Sequence, residues 1–435
     1  MTLSTKILTK SVTLHSLTTK KFKTGMIALS VSMPKEKYTA AYNYLLSGIL
    51  RRGTKSYPSM ASLNRRLDEL FAATIEIKSV RHAKHESFLI LAELLDNAFS
   101  DDGTDIADGV LSVMSELLTL PLRDEKGFFS EDTLEKERKI AIDSLEAIIN
   151  NPKSYAALRA AEIMNRDEKD FLDLCATIDA TKSVTSEAMT EYYEKNILSR
   201  EIDVFYVGSL SEDEISEKVL RYFGSHSATV HDPAPLLDPK IKSREAIYIR
   251  EPMPVSQGKL VMGFRTGITA KTPDYYAMLL LSEIYGGSPI SKLFMNVRER
   301  MSLCYYCSSS YNMYTGTLSV SSGIEVSDEK KATDAILAEL DSIKAGNFSD
   351  TELEAARKSL INSYKQIYDN PFDLHSFYSA RTAFGVDASL EGCCERIAAL
   401  TREDILRASK GIELDTTYFL CGTKESNGEE GDYDE

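Results

Sequence analysis

Apolar and polar positions along this chain fall into two runs of the same order. Each reads strand, helix, helix, paired strands, paired long helices, strand. The clearest element is a helix. Leu134 to Pro152 carries apolar residues at helical spacing, and Leu353 to Pro371 aligns with it without gaps, agreeing at nine of nineteen positions, the closing Asn-Pro included. A Ser that can accept hydrogen bonds from first-turn amides precedes each copy, Ser130 in one and Ser349 in the other. Start, register and proline stop are thus reproduced together. A weaker repeat lies in two strongly apolar helical stretches, Leu45-Leu46-Ser47-Gly48-Ile49 and Leu280-Leu281-Ser282-Glu283-Ile284. After each come a further helix and two strand-like runs, 74–80 with 87–91 in the first half and 303–309 with 317–321 in the second. The pattern predicts an α+β fold made twice over: two homologous domains, each an antiparallel or mixed sheet with helices packed on one face.

A Pro-, Asp- and Lys-rich stretch around His231 to Lys240 reads as an exposed linker. It divides the chain into a first domain over 1–228, a linker over 229–245, a second domain over 246–423 and an acidic, Gly-containing tail over 424–435 with the composition of disorder. A length of 435 residues fits two domains better than one core. The net charge of −15, without a concentrated basic patch, argues against a nucleic-acid partner. No run approaches the ~20 apolar residues of a membrane span, and Met1 to Lys23 lacks the apolar centre of a signal peptide. The six cysteines, Cys175, Cys304, Cys307, Cys393, Cys394 and Cys421, are scattered rather than arrayed as a disulfide framework. A reducing cytoplasm is the expected setting.

Four stretches carry a family resemblance: Tyr44 to Thr54, ending in Arg-Arg-Gly-Thr; the helix from Glu137-Arg138 to Asn151-Pro152; the turn Tyr285-Gly286-Gly287-Ser288; and Arg298-Glu-Arg-Met-Ser-Leu-Cys-Tyr305. On these the chain resembles the pitrilysin/insulinase (M16) metallopeptidases over essentially its whole length. It is similar to the short bacterial members that carry two family domains per chain, and within them to the inactive-partner branch that lacks the zinc motif. Active members hold zinc with His-x-x-Glu-His, two His one helical turn apart with an intervening Glu as general base, plus a Glu from a second helix. Anchored on Gly53-Thr54 and Asn151-Pro152, that template puts Tyr44 and Gly48 at the His positions, Ser47 at the base and Ser144 at the third ligand. A phenol, two hydroxymethyls and a glycine do not hold zinc. The resemblance therefore implies no metal and no cofactor in this chain, with zinc in a partner.

The same resemblance implies a role for a second element. In active members an Arg and a Tyr seven residues later reach toward the zinc, where a guanidinium and a phenol suit a developing oxyanion and substrate carbonyls. Arg298 and Tyr305 stand at that spacing. The implied function is a non-catalytic subunit that pairs with a zinc-bearing homologue, encloses a peptide substrate and donates Arg298 and Tyr305 to the shared site, with the Gly286-Gly287 loop lining the chamber. Read without the family, Arg298 is a solvated helix-end cation, Tyr305 is strand packing and Gly286-Gly287 is a turn. A scaffold with no catalytic contribution, a peptidase with non-standard ligands, and a homodimer stay open.

Three other constellations fail as sites. His82-Ala-Lys-His85-Glu86 resembles a metal motif but lies between strand-like runs and reads as a hairpin turn, where positions three apart on one strand would face opposite sides. Cys304 and Cys307 lie in a predicted strand with thiols pointing apart, so they read as buried small hydrophobes. Cys393-Cys394 has no His nearby, and Gly286-Gly287 is not followed by Gly-Lys-Ser/Thr.

Overall fold

The computed structural model describes residues 2–82, 84–168, 171, 173–230, 245–386 and 389–422. The acidic tail and linker residues 231–244 lie outside them. Two compact units are present. Met1–Glu146, Lys169–Leu236 and Tyr364–Gly392 form one, and Ala147–Glu168, Leu237–Ser363 and Cys393–Glu435 form the other.

The first unit holds strands β1 (Ser4–Ile7), β2 (Val12–Thr18), β3 (Thr24–Pro34), β4 (Thr74–His82), β5 (His85–Leu95) and β6 (Ile202–Gly208) in the order β1-β2-β6-β3-β5-β4. Only β2 and β6 run parallel. Its helices are α1 (Thr39–Arg51), α2 (Met60–Glu69), α3 (Ile106–Thr119), α4 (Glu131–Glu146), then, after α5 (Pro152–Asn165) of the other unit, α6 (Leu174–Ser183), α7 (Ser186–Tyr193) and α8 (Glu212–Phe223). The second unit has β7 (Ile247–Met253), β8 (Gly258–Arg265), β9 (Cys304–Asn312), β10 (Thr317–Ile324) and β11 (Glu413–Gly422), ordered β7-β11-β8-β10-β9 with β7 and β11 parallel. Its further helices are α9 (Tyr275–Ser282), α10 (Glu329–Lys344) and α11 (Asp350–Gln366). Next in the chain come α12 (Pro371–Ala383), which lies in the first unit, α13 (Leu390–Ala398) and α14 (Arg402–Ser409).

Stripped of β1, the two sheets share one plan: a parallel pair, then three antiparallel neighbours. The α+β duplication read from the hydrophobic pattern is what the chain adopts. Equivalent side chains even perform equivalent work. Arg138 of α4 donates to the Val184 carbonyl at 2.6 Å, and its counterpart Arg357 of α11 donates to the Leu400 carbonyl at 2.7 Å. Each acceptor sits just before the Thr that caps the following helix, Thr185 or Thr401.

The Asn-Pro motif stops one helix and starts another. After α4 the chain tightens through a 3-10 turn, Ala147–Asn150. Asn151 then caps α5 by accepting from the Ser154 amide at 3.1 Å, with Pro152 at the first helical position. Asn370 and Pro371 open α12 in the same manner, the cap accepting from the Phe372 amide at 2.8 Å. These two helices are exchanged. α5 follows the first half's long helix but packs on β8 and β11, while α12 follows the second half's long helix but lies over β3 and β6.

Strand β3 is accordingly buried on both faces. Ile27, Leu29, Val31 and Met33 join the core formed with α1, α3 and α8. The alternate positions, Ala28, Ser30 and Ser32, point to the face that α12 covers.

Candidate functional site

Helix α1 carries the three positions where the family template puts His, Glu and His. Tyr44 is 45% exposed. Ser47 turns its hydroxyl back to the Asn43 carbonyl at 2.7 Å, a local bond within the helix. Gly48 has no room for any side chain as packed, because a Cβ there would collide with the Glu137 carboxylate. Glu137, only 8% exposed, comes from α4 and is paired with the Arg52 guanidinium that follows α1. Ser144 lies two turns further along α4, beyond the buried Ala141, and is exposed. The α1–α4 contact is therefore held by an Arg52–Glu137 ion pair beside Gly48. Among the described residues, no group of three His, Cys, Asp or Glu side chains is gathered to hold a metal ion.

The Arg52–Glu137 pair was not singled out from the sequence. Its signal was present: the position aligned with Glu137 in the second half is Ala356, so the carboxylate belongs to one copy only. Behind α1, Asn43 is fully buried, donates to Glu86 at 2.9 Å and accepts from the Tyr192 hydroxyl at 2.9 Å. Burial pushes the Tyr192 hydroxyl well above its ordinary pKa, keeping it a donor.

Glu86 is thus committed to the core, with Arg81 3.6 Å away, and is no ligand of a His82/His85 motif. That segment is a hairpin, as read, but the opposite-face argument does not hold. His82 and His85 are direct cross-strand partners rather than successive positions on one strand. The His82 side chain lies outside the described residues. Burial, with Arg200 nearby, lowers the pKa of His85.

Arg298 and Tyr305 belong to the second unit, and each has its own partner. Arg298 lies in a wide helical turn, Leu293–Arg300, with its guanidinium 4.6 Å from the Phe294 ring centre and 3.6 Å from Glu299. Tyr305 sits on β9 at a β-bulge: Cys304 pairs with Ile324 and Tyr306 with Gly323, leaving Tyr305 the extra residue. It is 53% exposed and donates to Glu325 at 2.5 Å, which raises its pKa.

The same bulge corrects the reading of the two nearby thiols. Cys304 and Cys307 pair with Ile324 and Ser322, positions two apart on β10, so they share a face instead of pointing apart. Both are buried, and their mutual hydrogen bond, with burial, pushes Cys307 up while Cys304 is lowered. Gly286 is buried where a Cβ would strike the Ser309 amide of β9, whereas Gly287 is exposed beside Glu283.

Known proteins resemble this chain in sequence and in fold. The Peptidase M16 inactive domain matches residues 183–360. The chain is 30% identical over 417 residues to the probable inactive metalloprotease YmfF of Bacillus subtilis, covering 95% of this chain and 96% of that protein. It is 21% identical over 237 residues to the uncharacterized zinc protease YmxG of the same organism, covering 54% and 56%. A crystal structure of a conserved protein from Enterococcus faecalis superposes with a TM-score of 0.88 at 25% identity, covering 98% of this chain and all of that one.

Proposed function

This chain belongs to the M16 peptidase family, on its inactive side, and we propose that it serves as the non-catalytic subunit of a two-chain peptidase. In this reading it encloses half of a peptide-binding chamber, a zinc-bearing homologue supplies the other half, and Arg298 and Tyr305 reach the partner's site. The observation that carries it is the split between the two family elements. Where zinc would be held, Glu137 and Arg52 neutralise each other beside Gly48 and Tyr44 is a bare phenol. The residues present do not fit a metal, and all metal chemistry falls to the partner. Where the family keeps its Arg and Tyr, both remain, and Tyr305, the extra residue of a bulge, is half-exposed with its hydroxyl on Glu325. Bulges re-aim side chains beside active sites, and a phenol and a guanidinium are suited to an oxyanion. Bacillus subtilis carries relatives named as an inactive metalloprotease and as a zinc protease, which supports a pairing of unlike chains. Six cysteines, none of them in a disulfide, support a cytoplasmic setting.

The test is co-purification of the tagged chain from its own cell, with metal analysis and peptidase assay. A zinc-bearing homologue at about one-to-one ratio is expected, with less than a tenth of an equivalent of zinc in this chain alone. Arg298→Ala or Tyr305→Phe is expected to lower kcat of the pair at least tenfold with the complex intact. A full equivalent of zinc in the isolated chain, with chelator-sensitive activity, sinks the proposal. A second reading, a scaffold with no catalytic contribution, is favoured by the existing engagement of Tyr305 with Glu325 and of Arg298 with Phe294 and Glu299. An intact complex whose rate ignores both variants selects it.

A further inference from the structure

Helix α12 does not close tightly on the sheet beneath it. Between it and strands β3–β6 lies a cavity of about 160 Å³, well beyond what one water needs. Its floor follows from the register. Lys78, Leu89, Ser30 and Asp203 form one cross-strand row, and Val80, Ser87 and Ser32 form the next. Its roof is the face of α12 bearing His375, Ser376 and Ser379. His375 is 3% exposed, and neither ring nitrogen has a hydrogen-bond partner. An unpartnered buried polar group is costly and calls for an explanation.

The exchanged helix of the second unit is the internal control. Aligned on Asn-Pro, His375 and Ser379 of α12 correspond to Ala156 and Ala160 of α5, both buried in an apolar cluster with Val261 and Tyr418. There Met164 fills the space over Gly263, and Glu251 accepts from Tyr155 at 2.7 Å and from Tyr418 at 2.9 Å. One architecture is apolar and filled beneath its helix in one unit. In the other it is hollow, with a histidine and serines where alanines would close it.

We propose that the α12 cavity is a binding site for a small zwitterion, a free amino acid or a dipeptide. Charges of opposite sign stand at the two ends of the floor row. Lys78 and Asp203 are three strand spacings apart, roughly 14 Å between Cα atoms. Both side chains line the cavity, so a zwitterion lying between them would set its carboxylate toward Lys78 and its ammonium toward Asp203. Neither group is saturated by its present contacts. Lys78 donates to Glu76 at 2.8 Å and lies 5.0 Å from the Phe372 ring centre, and Asp203 meets His15 at 3.0 Å. An ammonium has three donors and a carboxylate about four acceptor sites, so each keeps capacity for a ligand. Leu89, Leu91 and Phe205 supply apolar surface for a side chain, and His375 with the serines can bond an α-carboxylate, an ammonium or a peptide group. This proposal is independent of the paired-peptidase reading.

Calorimetric titration of the full chain with a panel of free L-amino acids and dipeptides tests it, with N-acetylated and C-amidated forms as controls. Saturable binding by at least one free form is expected, weakened at least tenfold by either cap and by His375→Phe or Ser379→Phe. Lys78→Met, at the rim, is expected to weaken it severalfold without unfolding the chain. Histidine NMR of the native chain gives a readout that needs no variant: the His375 ring signals shift on saturation. No heat and no His375 shift with tens of millimolar of every free form overturns the proposal, leaving ordered water as the occupant. Equal binding of capped and free forms overturns it as well.

Discussion

Glu137 occupies the space that a side chain at Gly48 would need, and its neighbours decide what that costs. The carboxylate is buried, Arg52 is its counterion, and Gly48 leaves it the space. Removing one partner of such a pair strands the other charge, which costs more than the intact pair contributes. Arg52 is partly exposed, so Arg52→Ala is expected to lower unfolding free energy by about 2 kcal/mol, below the ~3–5 of a fully buried pair. Adding Glu137→Gln should return most of that loss. Denaturant melts of the four chains in that cycle give the coupling, and purely additive losses would sink the pairing argument. Gly48→Ala should destabilise the natural chain by crowding the carboxylate. In a Glu137→Ala background the sign should invert, because Ala is better than Gly in a helix by about 1 kcal/mol.

His375 gives a second prediction at this scale. Burial, with Lys78 adding to it, lowers its pKa from 6.5 to about 4, so the folded chain holds a neutral imidazole while the unfolded chain binds a proton earlier. The contribution to stability is full above pH 6.5 and is lost as the pH falls through 4. The upper bound is about 3–4 kcal/mol at ~1.4 kcal/mol per pH unit. His375→Phe should flatten the stability profile across that window. A variant profile parallel to the natural one would remove His375 as the cause.

At the scale of elements, the repeat was open to reading because a helix writes its start, face and stop into local residues. Ser130, the apolar stripe and Asn151-Pro152 are visible one by one and recur together. Three features were not visible, each for a physical reason. An apolar helix face does not say which sheet covers it, so nothing in the sequence of α5 or α12 announces their exchange. A bulge adds one residue without changing composition, so the alternation around Tyr305 gave Cys304 and Cys307 opposite faces when the pairing gives them one. The Arg52–Glu137 contact joins positions 85 residues apart, beyond any local pattern. The bulge makes a testable claim about thiols. Cys175 is exposed, whereas Cys304, Cys307 and Cys393 are buried, and Cys307 is further from ionisation than a free thiol. Because the thiolate is the nucleophile, iodoacetamide should label Cys175 in the native chain at least a hundredfold faster than Cys307. Denaturant should erase the difference. Native labelling of Cys307 at a rate like that of Cys175 would mean β9 is not paired as described.

At the scale of the whole molecule, the duplication is one of sequence, but each compact unit draws a helix from the other half of the chain. A fragment cut at the sequence boundary therefore carries the wrong helix. Residues 1–228 would keep α5, whose Ala156, Ala160 and Ile163 are buried against the second sheet, and would lose α12, which covers β3 and β6. Leu89, Leu91 and Phe205 would then face water together, with an orphaned apolar helix beside them, and contiguous apolar surface of that kind promotes aggregation. The complementary fragment has the mirror defect, a bare face on β8 and β11 and a free α12. Expressed separately, both fragments should be insoluble or oligomeric by gel filtration. Co-expressed, each supplies the helix the other lacks, and they should co-elute as one soluble particle with the circular dichroism of the intact chain. In that chain the exchange ties the folding of each unit to both halves of the sequence, so thermal unfolding should be one transition in spite of the two units. A monomeric 1–228 fragment that unfolds cooperatively by itself would show that α12 is dispensable to the first sheet, and the exchange would then be a decoration of the fold instead of part of its core.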